Sequence, residues 1–230
     1  MVNWTYRYFD DGIQVFLSGH DRGKYEYLPE KHCDKCSYPT TTIPWCLSCA
    51  DLYGFNKIYA LGIYRANKNA RGEWDHPLSS HIRFLKKKDI WAEPLGHALS
   101  YYIDKKYFDL SDSNYIVPIP AHQNTIKSRG YNQAEMIARE VSKYHGISLI
   151  QPLDKILDIE LRDLGRAERF EAVKKSYIFK QTHKKQITGS KILLIDDVVT
   201  TGATVSQCSE ILRNNGATEV NVAILGRTYG

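Results

Sequence analysis

Lys191-Ile192-Leu193-Leu194-Ile195-Asp196-Asp197-Val198-Val199-Thr200-Thr201-Gly202-Ala203-Thr204 is the stretch that decides the fold. Ile192 to Ile195 is a short, partly β-branched apolar run bounded by charge, which predicts a strand covered on both faces. Two carboxylates stand where that strand is expected to end. A polar turn of Thr200, Thr201, Gly202 and Thr204 follows. Helical spacing then begins at Val205 and runs through Cys208, Ile211 and Leu212 to a stop at Gly216. A Thr- and Gly-rich turn at a helix N-terminus offers backbone N–H groups, hydroxyls and the positive helix end to one phosphate. Asp196 and Asp197, just before it, can accept hydrogen bonds from sugar hydroxyls. Together these groups suit a ribose phosphate.

The neighbouring segments repeat the strand-then-helix order. Ile58 to Tyr64 reads as a strand, and Arg65 to Asp75 as a polar loop. Leu78 to Leu85 and Trp91 to Ile103 read as helices with apolar faces. Ser111 to Asn114 is a turn, and Tyr115 to Pro120 is a strand ended by its prolines. A basic loop with Lys127, Arg129 and Gly130 comes next, then a helix from Ala134 to His145. Lys127 and Arg129 can meet a pyrophosphate, and Gly130 lets the backbone approach it; an ordinary charged surface loop is the other reading. Leu149 to Leu157 is a short strand and turn. The charged segment 158–175 is either a solvated amphipathic stretch or a flap that brings arginine over a phosphorylated ligand. Strands at Ser176–Phe179 and Glu219–Leu225 complete the set. The expected class is α/β, a mostly parallel sheet flanked by helices that binds ligands at the carboxyl ends of its strands.

Upstream, residues 1–30 are tyrosine-rich with turn signals at Asp11-Gly12 and Gly19 to Gly23, and predict a β-hairpin or meander. Cys33-Asp-Lys-Cys36 and Cys46-Leu-Ser-Cys49 are two Cys-x-x-Cys knuckles nine residues apart. Two knuckles can close a tetrahedral four-cysteine zinc site with no position left for water, which makes it structural. The expected organisation is an extension over 1–30, a zinc ribbon over 31–55 and the α/β domain over 56–230.

The 230 residues fit one large domain or one domain plus a small module. An apolar content of 43% supplies a core, and 16 tyrosines argue against disorder. A net charge of +5 suits an anionic ligand but is milder than that of a dedicated nucleic-acid binder. No membrane span or signal-type leader is read, so a cytoplasmic location is expected, where clustered cysteines point to metal and not to disulfides. A P-loop NTPase is excluded, since no Gly-x-x-x-x-Gly-Lys-[Ser/Thr] occurs.

Ile195 to Thr204 closely resembles the phosphoribosyl pyrophosphate (PRPP) loop of type I phosphoribosyltransferases. The order of double knuckle, Val117-Pro-Ile-Pro-Ala-His122, Arg129-Gly130-Tyr131-Asn132-Gln133-Ala134 and this loop resembles the competence protein F family, which joins a zinc ribbon to a phosphoribosyltransferase domain. The resemblance covers roughly residues 31–230. It implies that Asp196 and Asp197 hold the ribose hydroxyls and that Thr200, Thr201, Gly202, Ala203 and Thr204 cradle the 5-phosphate, with Val198 and Val199 within the binding segment. It also implies that Arg129, Gly130 and Tyr131 lie near the pyrophosphate, that Mg²⁺ bridges pyrophosphate and ribose oxygens, and that Cys33, Cys36, Cys46 and Cys49 bind zinc. The implied reaction is pentosyl transfer from PRPP to an acceptor, in a family linked to DNA uptake and natural transformation. The second reading is a non-catalytic PRPP- or nucleotide-binding protein that acts with single-stranded nucleic acid or competence machinery. The chain departs from the family at Gln123, Asn124 and Thr125, where arginine is common. It departs again at Leu161 to Phe170, which lacks the family's Thr and Gln, although Arg169 matches a later arginine. Those departures bear on pyrophosphate handling, flap closure and turnover, not on PRPP binding.

Overall fold

The computed structural model of the chain describes residues 3–28, 31–38, 49, 52–65, 76–106, 112–158 and 165–228. The tyrosine-rich start forms an antiparallel meander of β1 (Trp4–Phe9), β2 (Gly12–Leu17) and β3 (His20–Glu26). Ile13 and Val15 alternate along β2 and are fully buried. The expected hairpin is therefore present as a three-stranded sheet. Its buried side chains join those of α1 and α2 described below.

From Ile58 the order is β4 (Ile58–Tyr64), α1 (Pro77–Leu85), α2 (Ala92–Lys106), β5 (Tyr115–Pro118), α3 (Gln123–Arg129), α4 (Gln133–His145), β6 (Leu153–Lys155), α5 (Arg166–Lys174), β7 (Tyr177–Phe179), α6 (Lys184–Ile187), β8 (Lys191–Val199), α7 (Ala203–Asn214) and β9 (Glu219–Thr228). Four strands make one sheet in the order β4-β9-β8-β5, with every neighbouring pair parallel. The expected α/β class with a parallel sheet between helices is what the chain adopts. β6 and β7 form a separate antiparallel pair.

β8 carries the alternation that places the two layers. Leu193 and Ile195 pack with α1, α2, α4 and the meander; Ile192 and Leu194 pack with Val205, Cys208 and Leu212 of α7. Both faces are covered, as the unbroken apolar run requires. Burying each such side chain contributes about 1.5–3 kcal/mol. All four parallel strands point the same way, so the segments after β5 and β8 emerge at one edge of the sheet.

Two elements differ from expectation. β8 does not stop at the carboxylates but continues through them to Val199, because β9 is long enough to pair Val198 with Gly226 and Val199 with Arg227. α7 accordingly starts at Ala203, two residues earlier than Val205. The basic loop after β5 is largely a helix: His122 caps α3 by accepting from the Asn124 N–H at 3.2 Å, and the helix closes at Gly130. Residues 66–75 of the expected loop and residues 159–164 of the charged segment lie outside the described residues, as does Ser111. Among the described residues, no helix is long and apolar enough to cross a membrane.

Candidate functional site

At the carboxyl end of β8 the chain opens an outward-facing cleft of about 340 Å³, lined by Asp196, Val198 to Val205 and Arg169. Gly202 turns the chain from strand into helix in a left-handed conformation, φ 86°. The first N–H groups of α7 have no acceptor within the helix, so Ala203, Thr204 and Val205 present donors at the cleft. The Thr201 hydroxyl accepts from the Ala203 N–H at 3.4 Å. Arg169 of α5 reaches across and donates from Nη1 to the Thr200 hydroxyl at 3.2 Å. The charged segment thus brings an arginine to the loop, which periodicity alone left undecided.

The two carboxylates fold back on their own backbone. Asp196 Oδ1 accepts the Asp197 N–H at 2.9 Å, and Asp197 Oδ1 accepts the Val198 N–H at 2.7 Å. Burial pushes the Asp196 carboxyl well above the usual carboxylate range, and the neighbouring Asp197 carboxylate pushes it further. Its backbone hydrogen bond and Lys86 pull in the opposite direction and are outweighed. Behind it, burial raises the Tyr177 phenol and the Cys208 thiol well above their ordinary values, with the Asp196 charge a lesser contributor to each. Negative charge on Asp196 is therefore held at a cost, which a hydroxyl donor or a cation beside that carboxyl lowers.

Arg129, Gly130 and Tyr131 are not among the residues lining this cleft. They follow β5 at the same sheet edge. Arg129 donates from Nη1 to Gln133 Oε1 at 2.6 Å, and the Tyr131 hydroxyl donates to the Leu85 carbonyl at the end of α1.

Cys33, Cys36 and Cys49 are buried, and their sulfurs lie within 4.8 Å of one another. Cys46 lies outside the described residues. Cys33 Sγ and Cys49 Sγ are 3.7 Å apart, far beyond the ~2.05 Å of a disulfide. That separation is close to the edge of a tetrahedron with bonds of about 2.3 Å, so the three thiols are placed to share one metal ion. The knuckle is fixed to the sheet: the Ile58 N–H donates to the Lys35 carbonyl at 2.8 Å, and the Ser37 hydroxyl donates to the Ile58 carbonyl.

Two contacts join the cysteine segment to the cleft, and neither was signalled by motif. Leu52 packs directly on Gly202. Arg227, 1% exposed, donates from Nε to the Cys36 carbonyl at 3.2 Å and from Nη1 to the Val199 carbonyl at 2.8 Å and the Thr200 carbonyl. A charged residue directly after an apolar strand run was the available signal.

The Phosphoribosyl transferase domain family matches residues 125–227. Competence protein F of Haemophilus influenzae is 24% identical over 219 residues, covering 90% of this chain and 95% of that protein. DNA utilization protein YhgH of Escherichia coli is 27% identical over 160 residues, 66% of each chain. Superposition on purine phosphoribosyltransferase from Pyrococcus horikoshii Ot3 covers 60% of this chain and 73% of that one, at 16% identity and a TM-score of 0.37. Residues 125–227, which include the cleft at the end of β8, thus match the phosphoribosyl transferase domain family, and the chain is similar to competence protein F and DNA utilization protein YhgH.

Proposed function

We propose that the protein binds PRPP with Mg²⁺ in the cleft at Asp196 to Thr204 and transfers the phosphoribosyl group to an acceptor. The observation that carries this reading is the placement of the Asp196 carboxyl with a Thr-Gly turn and helix N-terminus in one cleft; Asp197, next along β8, is not among the residues lining it. The α7 N–H groups and the hydroxyls of Thr200, Thr201 and Thr204 hold the 5-phosphate. Asp196 and Asp197 accept from the ribose hydroxyls, which turns the sugar so that its anomeric carbon faces out of the cleft. Arg169 closes over the phosphate, and Arg129 to Tyr131 stand toward the pyrophosphate. In the transfer, the bond from the anomeric carbon to pyrophosphate breaks, the acceptor's lone pair forms the new bond, and the acceptor loses a proton. The chain positions the reactants and neutralises charge without a protein nucleophile. Mg²⁺ held beside Asp196 and Asp197 would add positive charge to offset the charge that develops on the leaving group.

The test is pyrophosphate release from PRPP and Mg²⁺ in the presence of a panel of bases, amines and single-stranded nucleic acid. Acceptor-dependent release that disappears in Asp196→Asn/Asp197→Asn is the expected result. PRPP binding without release across the panel favours a binding protein that works with nucleic acid, in keeping with what the names of its relatives describe. No PRPP binding by calorimetry ends both readings.

The cysteine cluster is read as a structural zinc site in a reducing, cytoplasmic setting, with Cys46 as the fourth ligand. The purified chain is expected to hold about one equivalent of zinc. A measured content below about half an equivalent counts against it.

A further inference from the structure

We infer that Arg227 is a positioning residue that couples the cysteine cluster to the phosphate loop, so that metal at the cysteines and PRPP at the loop stabilise each other. The inference rests on reading Thr200 to Thr204 as the phosphate loop.

Burying a guanidinium is costly unless its donors are satisfied. Arg227 meets that cost with main-chain carbonyls from two separate segments: Cys36 on its Nε side, Val199 and Thr200 on its Nη1 side. Its planar fork fixes the donors relative to one another, so it sets the position of the knuckle against the loop, as a flexible lysine would not. The Tyr38 ring lies under it, 5.3 Å from the guanidinium carbon, and Tyr38 is itself tied back by its carbonyl to the Cys33 N–H at 2.8 Å.

Peptide units are planar, and in the trans form C=O and N–H point in opposite directions. With the Val199 and Thr200 carbonyls drawn to Arg227, the N–H groups of Thr200 and Thr201 point away from it. A second tie runs in parallel: Lys35 Nζ donates to the Leu52 carbonyl at 2.7 Å, and Leu52 rests on Gly202. A divalent ion on three or four thiolates leaves the cluster net negative, which the Arg227 charge offsets. Loss of the ion frees Cys36 to move and slackens the carbonyl anchor; an anion on the loop tightens it. Such coupling is reciprocal by thermodynamic necessity.

The experiment uses the zinc-loaded full chain. Zinc transfer to a colorimetric chelator is followed with and without saturating PRPP and Mg²⁺, and PRPP binding is measured separately by calorimetry. In the wild type, PRPP is expected to slow zinc release by about fivefold or more, within the usual range of coupling between sites. In Arg227→Met and Arg227→Lys, PRPP still binds but protection of zinc falls to near unity, with lysine no better than partial. A merely structural role would lower the unfolding temperature of these variants yet keep the ligand-dependent protection. The wild-type pair of rates decides even if Arg227→Met does not fold. PRPP that binds without changing zinc release overturns the coupling and leaves the proposed function standing. Equal protection in wild type and Arg227→Lys overturns the role of Arg227, and failure of PRPP to bind at all overturns both.

Discussion

Asp196→Asn is expected to raise the unfolding temperature near neutral pH while weakening PRPP binding by about 10- to 100-fold. The two effects have one cause. Folding buries the Asp196 carboxyl against the Asp197 carboxylate, so its proton is held more tightly in the folded chain than in the unfolded one. Stability therefore falls as pH rises from the ordinary carboxylate range toward the raised value, because across that window the folded chain binds more protons. Asparagine removes the charge and keeps the shape: its Oδ1 still accepts the Asp197 N–H that Asp196 accepts at 2.9 Å. Each ~1 kcal/mol of relieved repulsion moves the midpoint by about 2–4 °C in a chain of this size. Below the ordinary carboxylate range both proteins are protonated or neutral at this position, and the advantage of the variant disappears. Binding changes in the opposite direction. Hydroxyl donors of a bound ribose favour the ionised form of Asp196, and a carboxylate that accepts a hydroxyl contributes about 1.5–3 kcal/mol, whereas an amide contributes less. Thermal scans from acid to neutral pH, paired with calorimetry at neutral pH, check both halves. A variant no more stable than wild type near neutrality would show that the carboxylate is not held at a cost.

The same stretch shows what a sequence can and cannot reveal. Ile192 to Ile195 disclosed a doubly covered strand because burial on both faces leaves no polar position in the run, and the four parallel strands followed from alternating strand and helix. Asp196 to Thr204 was legible as a candidate site because its groups are contiguous in the chain. Arg227 was not, since its acceptor on Cys36 lies 191 residues away and only the folded sheet brings them together. β9 was expected to end at Leu225, where the apolar run stops. Its last residues are instead held by the backbone ladder to Val199 and by Arg227 itself, whose polar head is satisfied by carbonyls and not by water. Arg129 illustrates the converse. Its spacing from Gly130 suggested a loop, but the His122 cap, a side chain-to-backbone bond invisible to periodicity, winds the segment into α3. Arg169 stood between: its proximity in sequence to other charges gave no preference, and its bond to Thr200 brings it to the loop.

Gly202→Ala is expected to lower PRPP affinity by an order of magnitude or more, a larger loss than any stability change of the fold would explain. At φ 86° a side chain costs about 1–2 kcal/mol in strain. The added methyl would also stand 2.6 Å from Leu52 Cδ2, so the turn or Leu52 must shift. A shift of the turn moves the α7 N–H groups away from the place where a phosphate would sit, and hydrogen bonds weaken steeply with misalignment. Two comparisons separate strain from displacement. Gly189 has a similar φ of 78° but open space around its Cα, so Gly189→Ala should lower the unfolding temperature and leave PRPP affinity unchanged. Leu52→Ala in the Gly202→Ala background removes the collision and keeps the strain, so it should recover part of the lost affinity. The collision is with Leu52, a side chain of the segment that follows Cys49, so that segment packs directly against the loop. If Gly202→Ala bound PRPP as the wild type does, the helix N-terminus would not be where the phosphate is held.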